Sequence, residues 1–224
     1  MKSCTCHIIT RDDESTIGEC LDSAISSRLF TNILILIDTK SADNTGRIIY
    51  EARLKYPQLI RIIPYKWEDP QDFAQARNFC LANTLTNYAF WLDGDEKIQH
   101  PEQIRAMLHK AHGQAFQFWI ISPLYTGGFH NMYQPRLVPV RRGVYFECPV
   151  LERIDFSLKR NGIPIEQTSF EPVLHATGYA DQKLVEQKNK RNRRIMEKFL
   201  KKGRSSPEAK RHIEKQYYRI PGRA

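Results

Sequence analysis

Long apolar runs are missing from this sequence. None exceeds five residues, and Ile33-Leu34-Ile35-Leu36-Ile37 is of that length. A membrane-spanning helix needs about 18–20 such residues, so none is expected. The N-terminus, Met1-Lys2-Ser3-Cys4-Thr5-Cys6, carries no apolar signal-peptide core ahead of the polar stretch that starts at Thr10. A cytoplasmic protein is the expectation. Cysteine is scarce, with Cys4, Cys6, Cys20, Cys80 and Cys148 as the whole set. The odd number and the spacing exclude a disulfide framework. Cys4 and Cys6 fall on one face of a strand, but no second pair follows at zinc-site spacing, so they read as small buried apolar residues. Glycine is absent before Gly18, which leaves no Gly-rich phosphate loop after the first predicted strand. There is no internal repeat and no low-complexity tract.

What the sequence does hold is ordinary globular composition with uneven charge. The 224 residues carry a net charge of +9. Residues 183–224 contain 15 Lys/Arg against 4 Asp/Glu, whereas residues 1–182 contain 19 against 21. A near-neutral body is followed by a basic tail, and such asymmetry points to an anionic partner.

Periodicity orders the first half. Cys4–Thr10 reads as a strand, and Thr16-x-x-Glu19 has the pattern of a capping box. Ile17, Cys20, Leu21, Ala24 and Ile25 then recur at helical spacing. Ile33–Ile37 is apolar on both faces, as a covered parallel strand must be. A helix with Ile48, Ile49 and Ala52 inward follows, then a strand over Leu59–Ile63 ended by Pro64. Asp72–Leu85 reads as a helix and Tyr88–Leu92 as a fourth strand. Strand–helix alternation of this kind predicts an open, mostly parallel α/β sheet flanked by helices. Beyond a helix opened by Pro101, Ala115–Tyr125, Met132–Val140 and Val144–Cys148 look like further strands, with a turn at Gly127-Gly128. Gln182–Lys202 reads as a helix with Leu184, Val185, Ile195, Met196, Phe199 and Leu200 as its stripe, of which Ile195, Met196, Phe199 and Leu200 read as core rather than membrane contact. Weak or partner-dependent order is expected from Gly203 onward.

Ligands of open α/β sheets sit beyond the carboxyl ends of the strands. There this sequence places Arg11-Asp12-Asp13-Glu14, Asp38, Pro64–Asp69 and Asp93-Gly94-Asp95-Glu96. Two carboxylates flanking Gly94 at a strand end suit one hard cation, with substrate phosphate completing its shell. Asp38 suits the N–H or O–H groups of a base or ribose. Arg77, inside a helix, is placed to reach a phosphate or an acid.

Several segments, in order, resemble family 2 glycosyltransferases with the GT-A fold, of the bacterial type that modifies lipopolysaccharide or polypeptides. They are Thr10-Arg11-Asp12-Asp13-Glu14 and Ile37-Asp38-Thr39-Lys40-Ser41-Ala42-Asp43-Asn44-Thr45, then Trp67 with Asp72–Asn78, and Trp91-Leu92-Asp93-Gly94-Asp95-Glu96. Pro135-Arg136-Leu137, Tyr145-Phe146-Glu147, Val150-Leu151-Glu152 and His175-x-x-Gly178-Tyr179 continue the series. The sequence departs from the family at three places. Lys40 replaces a Gly, Arg-Asp-Asp-Glu replaces Lys-Asn-Glu, and Leu151 replaces the His before Glu152.

The resemblance implies an inverting, metal-assisted enzyme that uses a nucleotide-sugar donor, UDP-linked in preference. The acceptor is a saccharide, a lipid-linked glycan or a polypeptide. Asp12, Asp13, Glu14, Asp38, Lys40, Arg77, Asp93 and Gly94 would hold the donor. Asp95 and His175 would bind Mn²⁺ or Mg²⁺, and Glu152, or else Glu147, would be the base. Domain boundaries follow: residues 1–182 as the transferase domain, with a nucleotide half to about 96 and an acceptor half from 97, and residues 183–224 as a basic helical tail. That tail suits peripheral contact with the inner face of a membrane. Two other readings compete. A nucleotidyltransferase would share the sheet and metal but carry a Gly-rich basic loop after the first strand. A nucleic-acid-binding module would use the tail with Tyr217-Tyr218, but acidic loops at one sheet edge repel phosphate, and no nucleic acid is expected.

Overall fold

In the computed structural model, residues 2–67, 71–168, 174–176, 180–202 and 205–218 are described, with backbone only for His175, Ala176 and Lys202. Four parallel strands form the first half: β1 (Cys4–Thr10), β2 (Asn32–Asp38), β3 (Ile60–Tyr65) and β4 (Tyr88–Asp93). They lie in the order β3-β2-β1-β4. The helices between them are α1 (Ile17–Ser26), α2 (Thr45–Lys55) and α3 (Phe73–Ala82). β1 is buried throughout, which explains why Cys4 and Cys6 are buried free thiols. β3 runs on through Pro64 to Tyr65 instead of stopping there. It is the edge strand, and an edge strand tolerates a residue without an N–H. The capping box does not form. Thr16 makes no side-chain cap, and Glu19 instead pairs with Lys97 at 2.9 Å.

The second half is assembled from β5 (Glu96–Ile98), α4 (Pro101–Lys110), β6 (Ala115–Pro123), β7 (Phe129–Pro139), α5 (Asp155–Arg160), β8 (Ile165–Gln167) and β9 (Leu174–Ala176). β7 enters antiparallel beside β4 and continues the sheet as β4-β7-β6-β9-β5, with β8 on β6. β6 and β7 form a hairpin whose turn has Gly127 and Gly128 at φ 86° and 78°. Such left-handed values are open to glycine at no steric cost. Phe116 pairs with Leu137 but Gln117 with Pro135, so Arg136 is the extra residue of a bulge. Bulges re-aim a side chain and concentrate near active sites. The expected strand over Val144–Cys148 is absent. Glu147 makes only an isolated bridge to Arg153, through backbone bonds of 2.9 and 2.8 Å. Cys148 (φ 71°) and Leu151 (φ 55°) lie in this tight loop.

Beyond residue 182 the chain does not leave the body. α6 (Gln182–Lys202) and α7 (Pro207–Tyr217) pack Ile195, Met196, Ala209 and Ile213 against Cys148 and Val150. Ile195, Met196, Phe199 and Leu200 of α6 are core or pack against it, as expected, while Leu184 is exposed and Val185 half-buried. Residues 203, 204 and 219–224 lie outside the described residues, and over Pro207–Tyr217 the expectation of weak order is corrected by α7. Ser206 caps it by accepting from the Ala209 N–H, and Pro207 stands in its first turn. Among the described residues no helix is long and apolar enough to cross a membrane. Ile213 is fully buried, so Ile213→Ala is expected to lower unfolding free energy by about 2–5 kcal/mol. Denaturant titration checks this, and an unchanged midpoint would mean that α7 is not docked.

Candidate active site

The parallel strands deliver their acidic loops to one edge. The loops after β1 and β2 are stitched together by carboxylates. Asp12, at φ 54°, accepts the Ala42 N–H (2.7 Å) and the Ser41 hydroxyl (3.3 Å) on Oδ1. Glu14 Oε2 accepts both the backbone N–H and the side-chain amide of Asn44, each at 2.9 Å. Asp38, ending β2, is fully buried. Its Oδ1 accepts the Lys40 N–H (3.0 Å) and its Oδ2 lies 3.2 Å from Arg11 Nη1. Lys40 thus meets the loop through its backbone, which a glycine would also supply. Nearby, Trp67 is buried, and its indole N–H has no partner among the described residues.

Asp13 sits beneath the Asp93-Gly94-Asp95 turn. Its Oδ2 accepts the Thr10 hydroxyl (2.7 Å) and the Arg11 N–H (3.2 Å). A Cβ on Gly94 would stand 2.5 Å from Asp13 Oδ2 and 3.1 Å from Thr10 Oγ1. Glycine is required there by that approach, since its φ is not left-handed. Burial pushes the Asp13 carboxyl up to about 6, against the Thr10 hydrogen bond and with a further push from Asp95 and Asp93.

Two arginines organise the rest. Arg77, 4% exposed, donates from Nη2 to Asp93 Oδ1 (2.6 Å) and from Nε to Glu152 Oε1 (2.9 Å). Burial works against the charge on Asp93, but Arg77 and Arg136 outweigh it and hold that carboxyl below the usual range. Arg136 binds Glu96 with two contacts of 2.6 Å and also donates to the Trp91 carbonyl (3.1 Å). Glu96 Oε2 accepts the Asp93 N–H (2.9 Å), so this pair fixes the turn that carries the acidic motif. Both guanidiniums lie over Trp91, 3.9 Å (Arg77) and 3.4 Å (Arg136) from its centroid, where cation and ring attract.

The structure therefore joins Asp93, Arg77 and Glu152, and it sets Asp13 against Gly94. Asp95 lies under α6, its Oδ2 3.2 Å from Lys188 Nζ. Glu147 is engaged elsewhere, by Arg160 and by the Ser206 hydroxyl at the start of α7. The His175 backbone pairs with Lys97 on β5. Its side chain, segment 177–179 and Asp69 lie outside the described residues. Arg136, Glu96 and Lys188 received no role from the sequence. A lone Arg in an apolar strand was one available signal. The seven-residue spacing from Lys188 to Ile195, which puts both on one helix face, was another.

A divalent ion finds a limited donor set. Among the described residues no three His, Cys, Asp or Glu side chains converge. Asp93 is held by Arg77, and Asp95 faces the Lys188 ammonium. One carboxylate suffices for Mg²⁺ or Mn²⁺ when substrate phosphate and water supply the other ligands, so the residues fit an ion that arrives with a diphosphate. A surface pocket of about 290 Å³, lined by His112, Arg141 and Glu166 among others, opens beside the start of β6. That is the amino edge of the parallel strands, opposite the acidic loops.

This arrangement is the GT-A fold. Residues 5–170 match the model of glycosyl transferase family 2, and the chain belongs to that family. The fold is similar to that of S. aureus TarS, with 15% identity over 96% of this chain and 43% of that one, TM-score 0.58. It is similar also to S. aureus TarS 1-349 in complex with UDP-GlcNAc, at 14% identity, 97% and 71% coverage and TM-score 0.59. The mannosyltransferase PcManGT from Pyrobaculum calidifontis, in complex with GDP-Man and Mn²⁺, gives 13%, 97%, 69% and 0.61. The chain thus spans less than half the length of the first of these TarS structures. No curated protein matches it.

Two outcomes are expected of Asp13 and Gly94. The folded pKa of about 6 exceeds the ordinary 3.8. The stability that Asp13 contributes is therefore complete below about pH 3.8 and lost as pH rises through about 6. In ligand-free protein, the stability of wild type relative to Asp13→Asn falls across that window. A difference flat with pH would refute the burial of this carboxyl. Gly94→Ala is expected to cost about 1–3 kcal/mol by overpacking. Gly18→Ala, with nothing within 4 Å of its Cβ, adds up to about 1 kcal/mol through helix propensity. Thermal unfolding of the two variants compares them.

Proposed function

We propose that this protein is an inverting glycosyltransferase that moves a sugar from a nucleoside-diphosphate donor, UDP-linked in preference, to an acceptor hydroxyl. The acceptor is a saccharide, a lipid-linked glycan or a polypeptide. The observation that carries this reading is the Arg77 bridge, which ties Asp93 at the end of β4 to Glu152 in the other half of the molecule. An acid at the donor edge and a carboxylate from the acceptor half are thereby held by one buried cation.

On this reading Asp38, with the stitched loops that carry Asp12, Asp13, Glu14 and Lys40, receives the nucleoside. Gly94 keeps the turn close to Asp13, and Asp93 faces the ribose or sugar. Glu152 is the base. Its Oε1 is taken by Arg77 Nε, and its Oε2 has no partner among the described residues. As the acceptor oxygen attacks the anomeric carbon, its proton passes to Glu152 and the bond from that carbon to the diphosphate oxygen breaks. The bond's electron pair leaves with the nucleoside diphosphate. One displacement from the opposite side inverts the centre. Leu151, in its left-handed conformation, turns the chain immediately before Glu152. Glu147 is the weaker choice, because Arg160 and Ser206 already engage it. Asp95, with His175 as a second candidate, would hold Mg²⁺ or Mn²⁺, which offsets charge on a departing diphosphate when bound. Contact with an anionic membrane surface falls to exposed basic residues of α6 such as Lys183, Lys190 and Lys201, because its apolar stripe is in the core.

Release of nucleoside diphosphate from a panel of nucleotide sugars, with Mn²⁺, Mg²⁺ or chelator, tests this reading without knowledge of the acceptor. Metal-dependent release from one donor, lost in Asp95→Ala, is expected. Silence across the panel, with no nucleotide binding, would overturn it. Once an acceptor is in hand, Glu152→Gln, whose amide oxygen still accepts from Arg77, is expected to lower transfer by about 10²–10⁴ while donor affinity is unchanged. Full activity in that variant would exclude Glu152 as the base.

A further inference from the structure

We propose that Lys188 of α6 binds the diphosphate of the donor, so that the basic C-terminal helix is a wall of the active site. The inference rests on the glycosyltransferase reading.

The contact crosses 93 positions of sequence, with Lys188 Nζ 3.2 Å from Asp95 Oδ2. It is set by packing. Ile195 is 1% exposed and Met196 fully buried, and Lys188 lies about two turns before Ile195 on the same helix face. The docking that buries Ile195 therefore carries Lys188 over the acidic turn. One turn further on, the Arg191 guanidinium lies 4.9 Å from the centroid of Phe73, at the start of α3.

A nucleoside diphosphate adds negative charge to an edge that already holds Asp13, Asp93 and Asp95. The buried arginines there are fixed, Arg77 to Asp93 and Glu152 and Arg136 to Glu96, while Arg11, 36% exposed, spans Asp12 and Asp38. Each is a planar fork held in a defined geometry. Lys188 differs in kind. Its side chain is 32% exposed and ends a flexible four-carbon stem, and an ammonium is a point charge that accepts anions from many directions. It can turn from Asp95 to a phosphate oxygen by rotation about its stem. When a divalent ion and a diphosphate occupy Asp95 together, the diphosphate is the anion that the displaced ammonium meets. In the ligand-free molecule the same side chain neutralises Asp95 and keeps the edge from repelling the donor.

A second role is possible for a cation in this place, and it has the opposite sign. A lysine that only plugged Asp95 would hinder metal and donor, and its removal would tighten binding. Calorimetry on the full chain with UDP, GDP, UMP and GMP, in Mg²⁺ and in Mn²⁺, separates the two. For the nucleoside that wild type binds, Lys188→Ala is expected to weaken the diphosphate by roughly 10- to 100-fold and the monophosphate by less than about threefold. An unchanged or tighter diphosphate overturns the inference, as do equal losses for diphosphate and monophosphate. A wild type that binds none of the four overturns the glycosyltransferase reading and this inference with it. An unchanged melting temperature of Lys188→Ala assigns its loss to binding and not to folding.

Discussion

The interior of this molecule holds charge that must stay paired. Arg136 and Glu96 are 2% and 4% exposed and meet at two contacts of 2.6 Å. Removing one partner of such a pair strands the other in a poorly solvating interior, at a cost of about 3–5 kcal/mol. Their positions are therefore fixed, and other features follow. Glu96 also takes the Asp93 N–H, which sets the turn after β4. Arg136 reaches Glu96 from a bulge in β7, which locks the antiparallel half onto the parallel half. Trp91 lies against both guanidiniums, so the arginine that organises the interior and the one that joins Asp93 to Glu152 share one ring. The acidic motif is placed by this network rather than by the flexibility of a loop.

The sequence was most readable where structure is local. β1, β2 and β4 and the helices between them follow from short apolar runs and helical spacing, because each element buries a face that its own residues define. Val144–Cys148 has the alternation of a strand, yet it forms a tight loop bridged to Arg153. Its backbone partner is Arg153, a few residues on, and not a strand of the sheet, and no local pattern reports that. Pro64 was read as a stop, and the edge position of β3 made it harmless. Asp93-Gly94-Asp95 was legible as a motif, but the reason for its glycine was not. The backbone does not need the freedom of Gly94. The missing Cβ makes room for Asp13, from another loop.

The loops after β1 and β2 illustrate how a departure from a family pattern is absorbed. A glycine would leave the turn after β2 free to form, and here Lys40 makes the same turn by donating its backbone N–H to the buried Asp38. The acids at positions 12 and 14, which invited a ligand-binding reading, accept backbone and side-chain donors from residues 41 to 44. They rigidify the edge, and beside it the buried Trp67 indole N–H has no partner among the described residues. Preorganisation of this kind lowers the ordering cost of binding.

Charge asymmetry along the chain has the same spatial explanation. An acidic edge built from residues 11–14, 38–45 and 93–96 has a counterpart in α6, whose Lys188 reaches Asp95. Read along the chain, the two are a neutral body and a basic tail, and the natural inference is a partner outside the molecule. Read in space, part of that partner is internal: Ile195, Met196, Ala209 and Ile213 dock the tail, and docking brings its positive charge to the place where acids converge. A surface of one sign facing a surface of the other across a packed helix is a site that an anion can enter only by exchanging contacts, acid for phosphate. That exchange is what separates a ligand-binding helix from a structural one.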